Sequence, residues 1–169
     1  MARIFAFNEP GLGFHTFLVP EGAKVARFSL RSGLVDAADA NLDVYLYRCV
    51  KWSCSSVESA ATDDSNEDII LTNPAPANNG DVGDVYIAFV HGKDLKGAAE
   101  TNYTMLGWVA DKAERSTRVT SSRRAIKGRY NYTTISSRGL ATGSLYMGAV
   151  TYYNADGEAE GTTILELSH

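Results

Sequence analysis

The sequence predicts an all-β protein, folded as a sandwich or barrel. Three observations carry this expectation. Alternating or β-branched runs recur roughly every 10 to 20 residues. Gly, Pro, Asn and Asp bound these runs, and they are the residues that tight turns require. No window sustains a period of about 3.6, so little or no helix is expected.

Gly13 to Val19 is the first expected strand. Lys24 to Arg31 is the second, with Val25, Arg27, Ser29 and Arg31 alternating against Ala26, Phe28 and Leu30. Asn41 to Cys49 has the clearest pattern. Leu42, Val44 and Leu46 fall on one face, and Asp43, Tyr45 and Tyr47 on the other. Asp68 to Thr72, Asp84 to Val90 and Tyr103 to Val109 complete a first unit, residues 1–109, with Trp108 expected in its core. The composition then shifts. Ala110 to Ser122 is polar and reads as a linker or an edge strand. Ile126 to Ile135, Ser144 to Tyr153 and Thr162 to Leu167 form a second, smaller β unit, residues 110–169. It is short for an immunoglobulin-type sandwich of about 100 residues, so it is expected to pack on the first unit. Asn154-Ala155-Asp156-Gly157 has hairpin chemistry, with glycine supplying a positive φ.

With 169 residues, 44% hydrophobic and 21% charged, the chain has ordinary globular composition and needs no cofactor to build a core. No segment approaches the ~20 apolar residues of a membrane helix. The net charge of −4 argues against a nucleic-acid partner, which needs a clustered basic face. Arg123, Arg124, Lys127 and Arg129 form a short basic run, read as a solvated strand edge. Met1 to Phe5 lacks the apolar stretch and cleavage site of a signal peptide, as would a piece cut from a longer precursor.

Cys49 and Cys54 are the two cysteines. A strand reversal between them would bring them within bridging range, and their spacing does not fit a thioredoxin-type redox pair. A disulfide is expected, and with it an oxidising compartment. Zinc would need further soft ligands, and His15, His91 and His169 show no paired spacing. No nucleophile elbow, zinc-protease motif or phosphate loop is present, so catalysis by this chain is not expected. Asp63-Asp64 and Glu67-Asp68 are adjacent carboxylates in a polar loop.

Two features invite binding. Asp39, Asn41 and Asp43 alternate into the third strand, with Asp36 just before them. Calcium takes roughly six to eight oxygen ligands, often from such loops, while the alternative is that these residues only cap the turn. Trp52 sits inside the cysteine loop, where a constrained aromatic either meets a partner or packs back on its own loop. Tyr45 and Tyr47 are read as strand residues covering a sheet face. Asn102-Tyr103-Thr104 and Asn131-Tyr132-Thr133 match the glycosylation sequon.

The order of several motifs resembles the bacterial pre-peptidase C-terminal domain. They are Phe28-Ser29-Leu30, Ala40 through Tyr47, Ser65 through Leu71, Asn73-Pro74, Val85 through Gly92 and Asn102-Tyr103-Thr104. Leu145 through Tyr152 and Gly161-Thr162-Thr163 are similar to the short β module that follows it in secreted subtilisin-like serine peptidases. The resemblance implies a jelly-roll-like β-sandwich followed by a smaller unit of immunoglobulin or fibronectin type. It implies secretion and a place after the catalytic domain, which would be one partner. An insoluble protein substrate or cell surface would be another. Some relatives bind calcium, which adds to the case at Asp39, Asn41 and Asp43. No catalytic residue carries over. The function expected is thus that of a non-catalytic accessory region, and the alternative is a carbohydrate-binding module of another secreted enzyme.

Overall fold

The computed structural model describes residues 11–51, 53–74, 83–111, 117–122 and 128–168. The basic residues Arg123, Arg124 and Lys127 lie outside them. The chain divides into two compact units, Met1–Asp111 and Lys112–His169. The first holds strands β1 (Leu12–Val19), β2 (Val25–Leu30), β3 (Asn41–Val50), β4 (Ser53–Ala60), β5 (Glu67–Thr72), β6 (Asp84–Asp94) and β7 (Leu106–Ala110). Its only described helix is a single 3-10 turn, Ser32–Leu34.

These strands form an antiparallel sandwich. One sheet has the order β1-β6-β3-β4 and the other β5-β2-β7. Successive strands mostly change sheet, and only β3 and β4 are joined as a hairpin within one sheet. The core lies between the sheets, and the two-residue period of each strand selects it. Leu42, Val44 and Leu46 of β3 and Tyr86, Ala88 and Val90 of β6 point inward from one side. Ala26, Phe28 and Leu30 of β2 and Ile69 of β5 meet them from the other. Phe28 stacks on Tyr86 at 5.8 Å between ring centroids and meets the edge of Phe17 at 5.1 Å.

Two glycines permit close approaches that no other residue would. A Cβ on Gly13 would lie 2.0 Å from the Tyr103 hydroxyl, and one on Gly107 would lie 2.2 Å from the Phe17 ring. Each bulky ring occupies the space that a side chain would need.

Trp108 is not a core residue. It stands opposite Arg27 on the outer face of the second sheet. The guanidinium groups of Arg27 and Arg31 lie 5.5 and 5.9 Å from its ring centroid. Arg27 also makes a bidentate pair with Asp68, at 2.8 and 2.7 Å. The alternation of β2 puts Arg27 outside, and with Arg31, just past the strand, it covers the indole.

The second unit holds two antiparallel pairs: β8 (Thr117–Ser121) with β9 (Thr133–Ser137), and β10 (Leu145–Tyr153) with β11 (Ala159–Ser168). Asn154 organises the β10–β11 turn, its Oδ1 accepting from the Asp156 and Glu158 amides at 3.0 and 2.8 Å. None of the described residues of this unit is fully buried.

Phe28→Ala removes the ring that joins the two sheets. It is expected to cost about 3–5 kcal/mol of unfolding free energy, read from urea denaturation of the full chain.

Candidate functional site

β3 and β6 pair in one register through eight positions, Leu42 to Cys49, after a shift at Asn41, and β1 extends the same rows from the far side of β6. Directly opposite residues share a face, so the outer surface of this sheet can be read row by row. Phe14, Phe89 and Tyr45 form one row. Thr16, Ile87 and Tyr47 form the next, and Leu18, Val85 and Cys49 the third. This outer face is largely apolar and aromatic. Phe14 is 52% exposed and Leu18 48%. Phe89 is buried on this outer side, its ring 6.4 Å from Phe14 and 5.5 Å from the edge-on Tyr47.

The Cys49–Cys54 disulfide forms at the corner of that face. The two residues are opposite each other in the β3–β4 hairpin, with Cα atoms 4.0 Å apart. Lys51 closes the turn with φ of 54°. Trp52, the next residue in the sequence, lies outside the described residues. Tyr45 and Tyr47 thus share a face with the disulfide.

A polar cluster sits where the chain enters β3. Asn41, Asp43, Ser65 and Glu67 are all buried. Ser65 Oγ donates to the Ala40 carbonyl at 2.6 Å and accepts from the Leu42 amide at 3.1 Å, taking the place of a neighbouring strand. Asn41 Nδ2 donates to the Thr62 carbonyl at 3.1 Å. Glu67 Oε1 accepts from both the amide and the hydroxyl of Thr62, each at 2.7 Å. Tyr45 Oη donates to Asp43 Oδ2 at 3.3 Å. Three oxygens remain without a hydrogen-bond donor among the described residues: Asn41 Oδ1, Asp43 Oδ1 and Glu67 Oε2.

Burial pushes the Glu67 carboxyl above the usual range, and the charges of Asp43 and Asp64 add to the effect against the bonds from Thr62. Asp64 itself is held low by the amide and side chain of Asn66. Asp39 is placed differently from the other two candidate ligands. It is exposed, in a turn with φ of 57°. Glu67, distant in sequence, stands in the cluster instead. The sequence showed it only as one of the adjacent carboxylates Glu67-Asp68 in a polar loop, with nothing to mark it as inward-facing.

A cleft of about 480 Å³ opens between β4 and β5, lined by Arg48, Ser55, Ser56, Ile70 and Tyr86 among others. Its one arginine is engaged with the fully buried Asp84, Nε donating to Oδ2 at 2.6 Å. His15 hydrogen-bonds Tyr103 Oη through Nε2 at 3.1 Å, and burial holds its imidazole below the usual range. Among the described residues no three His, Cys, Asp or Glu side chains gather as a metal-binding group, and no helix is long and apolar enough to cross a membrane.

Comparison with protein-family models, curated proteins and solved structures finds no match.

Two outcomes follow from these arrangements. His15 has a lower pKa folded than unfolded, so the unfolded chain binds the proton more readily. Its contribution to stability is full above the unfolded pKa of about 6.5 and falls as pH drops through that value. Unfolding free energies at about pH 7.5 and pH 5.5 should therefore differ more for the natural chain than for His15→Gln. The disulfide closes a very short loop, so the double change Cys49→Ser, Cys54→Ser should cost only about 2 kcal/mol, measured by urea denaturation.

Proposed function

We propose that this chain is a non-catalytic accessory segment of a secreted subtilisin-like serine peptidase, holding an insoluble protein substrate or a surface near the catalytic domain. The observation that carries this reading is the outer face of β1, β6 and β3. Exposed apolar side chains normally occur singly, and a contiguous set marks an interaction surface. The exposed Phe14, Leu18 and Val85, with the half-buried Tyr45 and Tyr47 beside them, form such a set on the sheet. Aromatic rings fixed by a sheet lose little entropy on binding and offer broad, flat contact.

The disulfide supports extracellular residence, since such bonds persist in oxidising compartments. The order of motifs from Phe28 to Thr104 supports the peptidase context. One observation favours a second reading. Phe14, Tyr45 and Tyr47 also suit stacking on sugar rings, which is the chemistry of a carbohydrate-binding module.

Pull-down of the full chain with insoluble collagen, elastin and keratin, and in parallel with cellulose and chitin, separates the two. Retention by a protein fibre supports the peptidase reading, and retention only by a polysaccharide supports the other. In either case the pair Phe14→Ala, Tyr47→Ala should weaken binding at least about tenfold. Val119→Ser in the second unit should leave it unchanged. Binding that is indifferent to the face substitutions removes the sheet face from the reading.

A further inference from the structure

The two sheets of the sandwich are unequal. One has four described strands and the other three. Along β1 and β7 the sandwich is shut. The Phe17 ring lies against Gly107, and the hydroxyl of Tyr103, just before β7, lies against Gly13. Along the opposite side it is open. β4 ends one sheet and β5 the other, and the cleft of about 480 Å³ lies between them. Residues 61–66 carry the chain from β4 across to β5 and bridge that side at one end. The cleft occupies the other end, between residues 55–57 of β4 and 70–72 of β5.

Its lining offers hydrogen bonds as well as apolar contact. Tyr86 is only 2% exposed, its ring stacked on Phe28, yet it lines the cleft. β6 lies two strands from β4, so the part of Tyr86 that reaches the cleft is the far, hydroxyl end of its ring. Burial and the charges of Arg48 and Asp84 act on that hydroxyl, but no hydrogen bond from the described residues meets it. A buried hydroxyl without a partner is uncommon, because it has lost water and gained nothing. Val57 and Ile70 form apolar walls and are 39% and 38% exposed. The edges of β4 and β5 add main-chain N–H and C=O groups that no further described strand takes up. Neither Ser53–Ala60 nor Glu67–Thr72 contains the lysine or proline that commonly blocks pairing at an edge.

These groups select the class of occupant. A sugar ring finds no platform, since the described lining holds one aromatic ring and Phe28 already stacks on it. An extended polypeptide uses every group. Its main chain pairs with a free edge, and its alternate side chains fall against the walls. We propose that the cleft accepts a short extended segment of a partner protein, which adds to β5 as a fourth strand and lies opposite β4. The Tyr86 hydroxyl then bonds to the main chain of that segment. Residues 70–72 present about 10 Å of edge at ~3.3 Å per residue, so roughly three or four residues dock. This site goes beyond the role proposed above and is separate from the outer face of β1, β6 and β3.

The test selects octapeptides from a random library displayed on phage against the full chain. The enriched peptides are then synthesised and titrated by fluorescence anisotropy. They are expected to carry apolar residues at alternate positions. Val57→Lys and Ile70→Lys, both at exposed positions, should each weaken binding at least about tenfold. The pair Phe14→Ala, Tyr47→Ala should leave it unchanged. N-methylation of the peptide should abolish binding at alternate residues only, the signature of pairing along one edge. Tyr86→Phe should weaken binding about three- to tenfold, and the Tm of the unbound chain should not fall, because the hydroxyl has no partner there. If Tyr86→Phe does not fold, the two wall substitutions decide. No enrichment over a chain carrying both wall substitutions overturns the proposal. Binding that is indifferent to those substitutions, or to N-methylation, overturns it too. So does binding lost in Phe14→Ala, Tyr47→Ala instead, which would place the peptide on the outer face and uphold the role proposed there. A chain that dimerises through Val57 and Ile70 also overturns it, since a second copy would then be the occupant.

Discussion

The pleat of β3 sorts its side chains into two sets that cannot exchange. Leu42, Val44 and Leu46 enter the core, and Asp43, Tyr45 and Tyr47 are sent to the opposite face. A slip of one residue would drive an aspartate and two tyrosines between the sheets and expose three aliphatic residues. Register with β6 then transmits the same choice to Tyr86, Ala88 and Val90 inside and to Ile87 and Phe89 outside. The core, the aromatic face and the buried polar cluster all follow from this one pairing.

Polar groups buried by that pairing are met in different ways. Asp84 is fully buried and answered by Arg48, so its charge is paired as well as hydrogen-bonded. Ser65 saturates the backbone of Ala40 and Leu42 where β4 has ended. The carboxyl of Glu67 is answered on one oxygen only. A structure that satisfies its neighbours this fully makes the unanswered oxygens conspicuous.

Strands with a strict alternation were legible in the sequence. β2, β3 and β6 each carry apolar residues at every second position; the bounds of β2 and β3 lie within one residue of those expected, while β6 runs on past Val90 to Asp94. β4 was not legible. Ser53–Ala60 is an edge strand with nearly every residue exposed and no apolar face to show a period. It is held by its partner β3 and by the disulfide, neither of which leaves a local signal in its own residues. β8, at Thr117–Ser121, lies in the polar stretch that the sequence left open between a linker and an edge strand. Trp108 was misread because hydrophobicity was taken to mean burial in the core, whereas two arginines provide its cover. Asn41 and Asp43 could be paired from spacing alone. Glu67 could not, since it is brought to them only by the crossing of the chain from one sheet to the other.

The second unit carries a consequence of its own. Its described strands form two separate ribbons, and none of their side chains is fully buried. Local opening is governed by the apolar contact that must be given up, so such ribbons open far more often than a sealed sandwich. Backbone amides of β8 to β11 should then exchange with solvent well before those of β3 and β6. A protease sampling the chain would find its first cuts there as well, and the sandwich would outlast the segment attached to it.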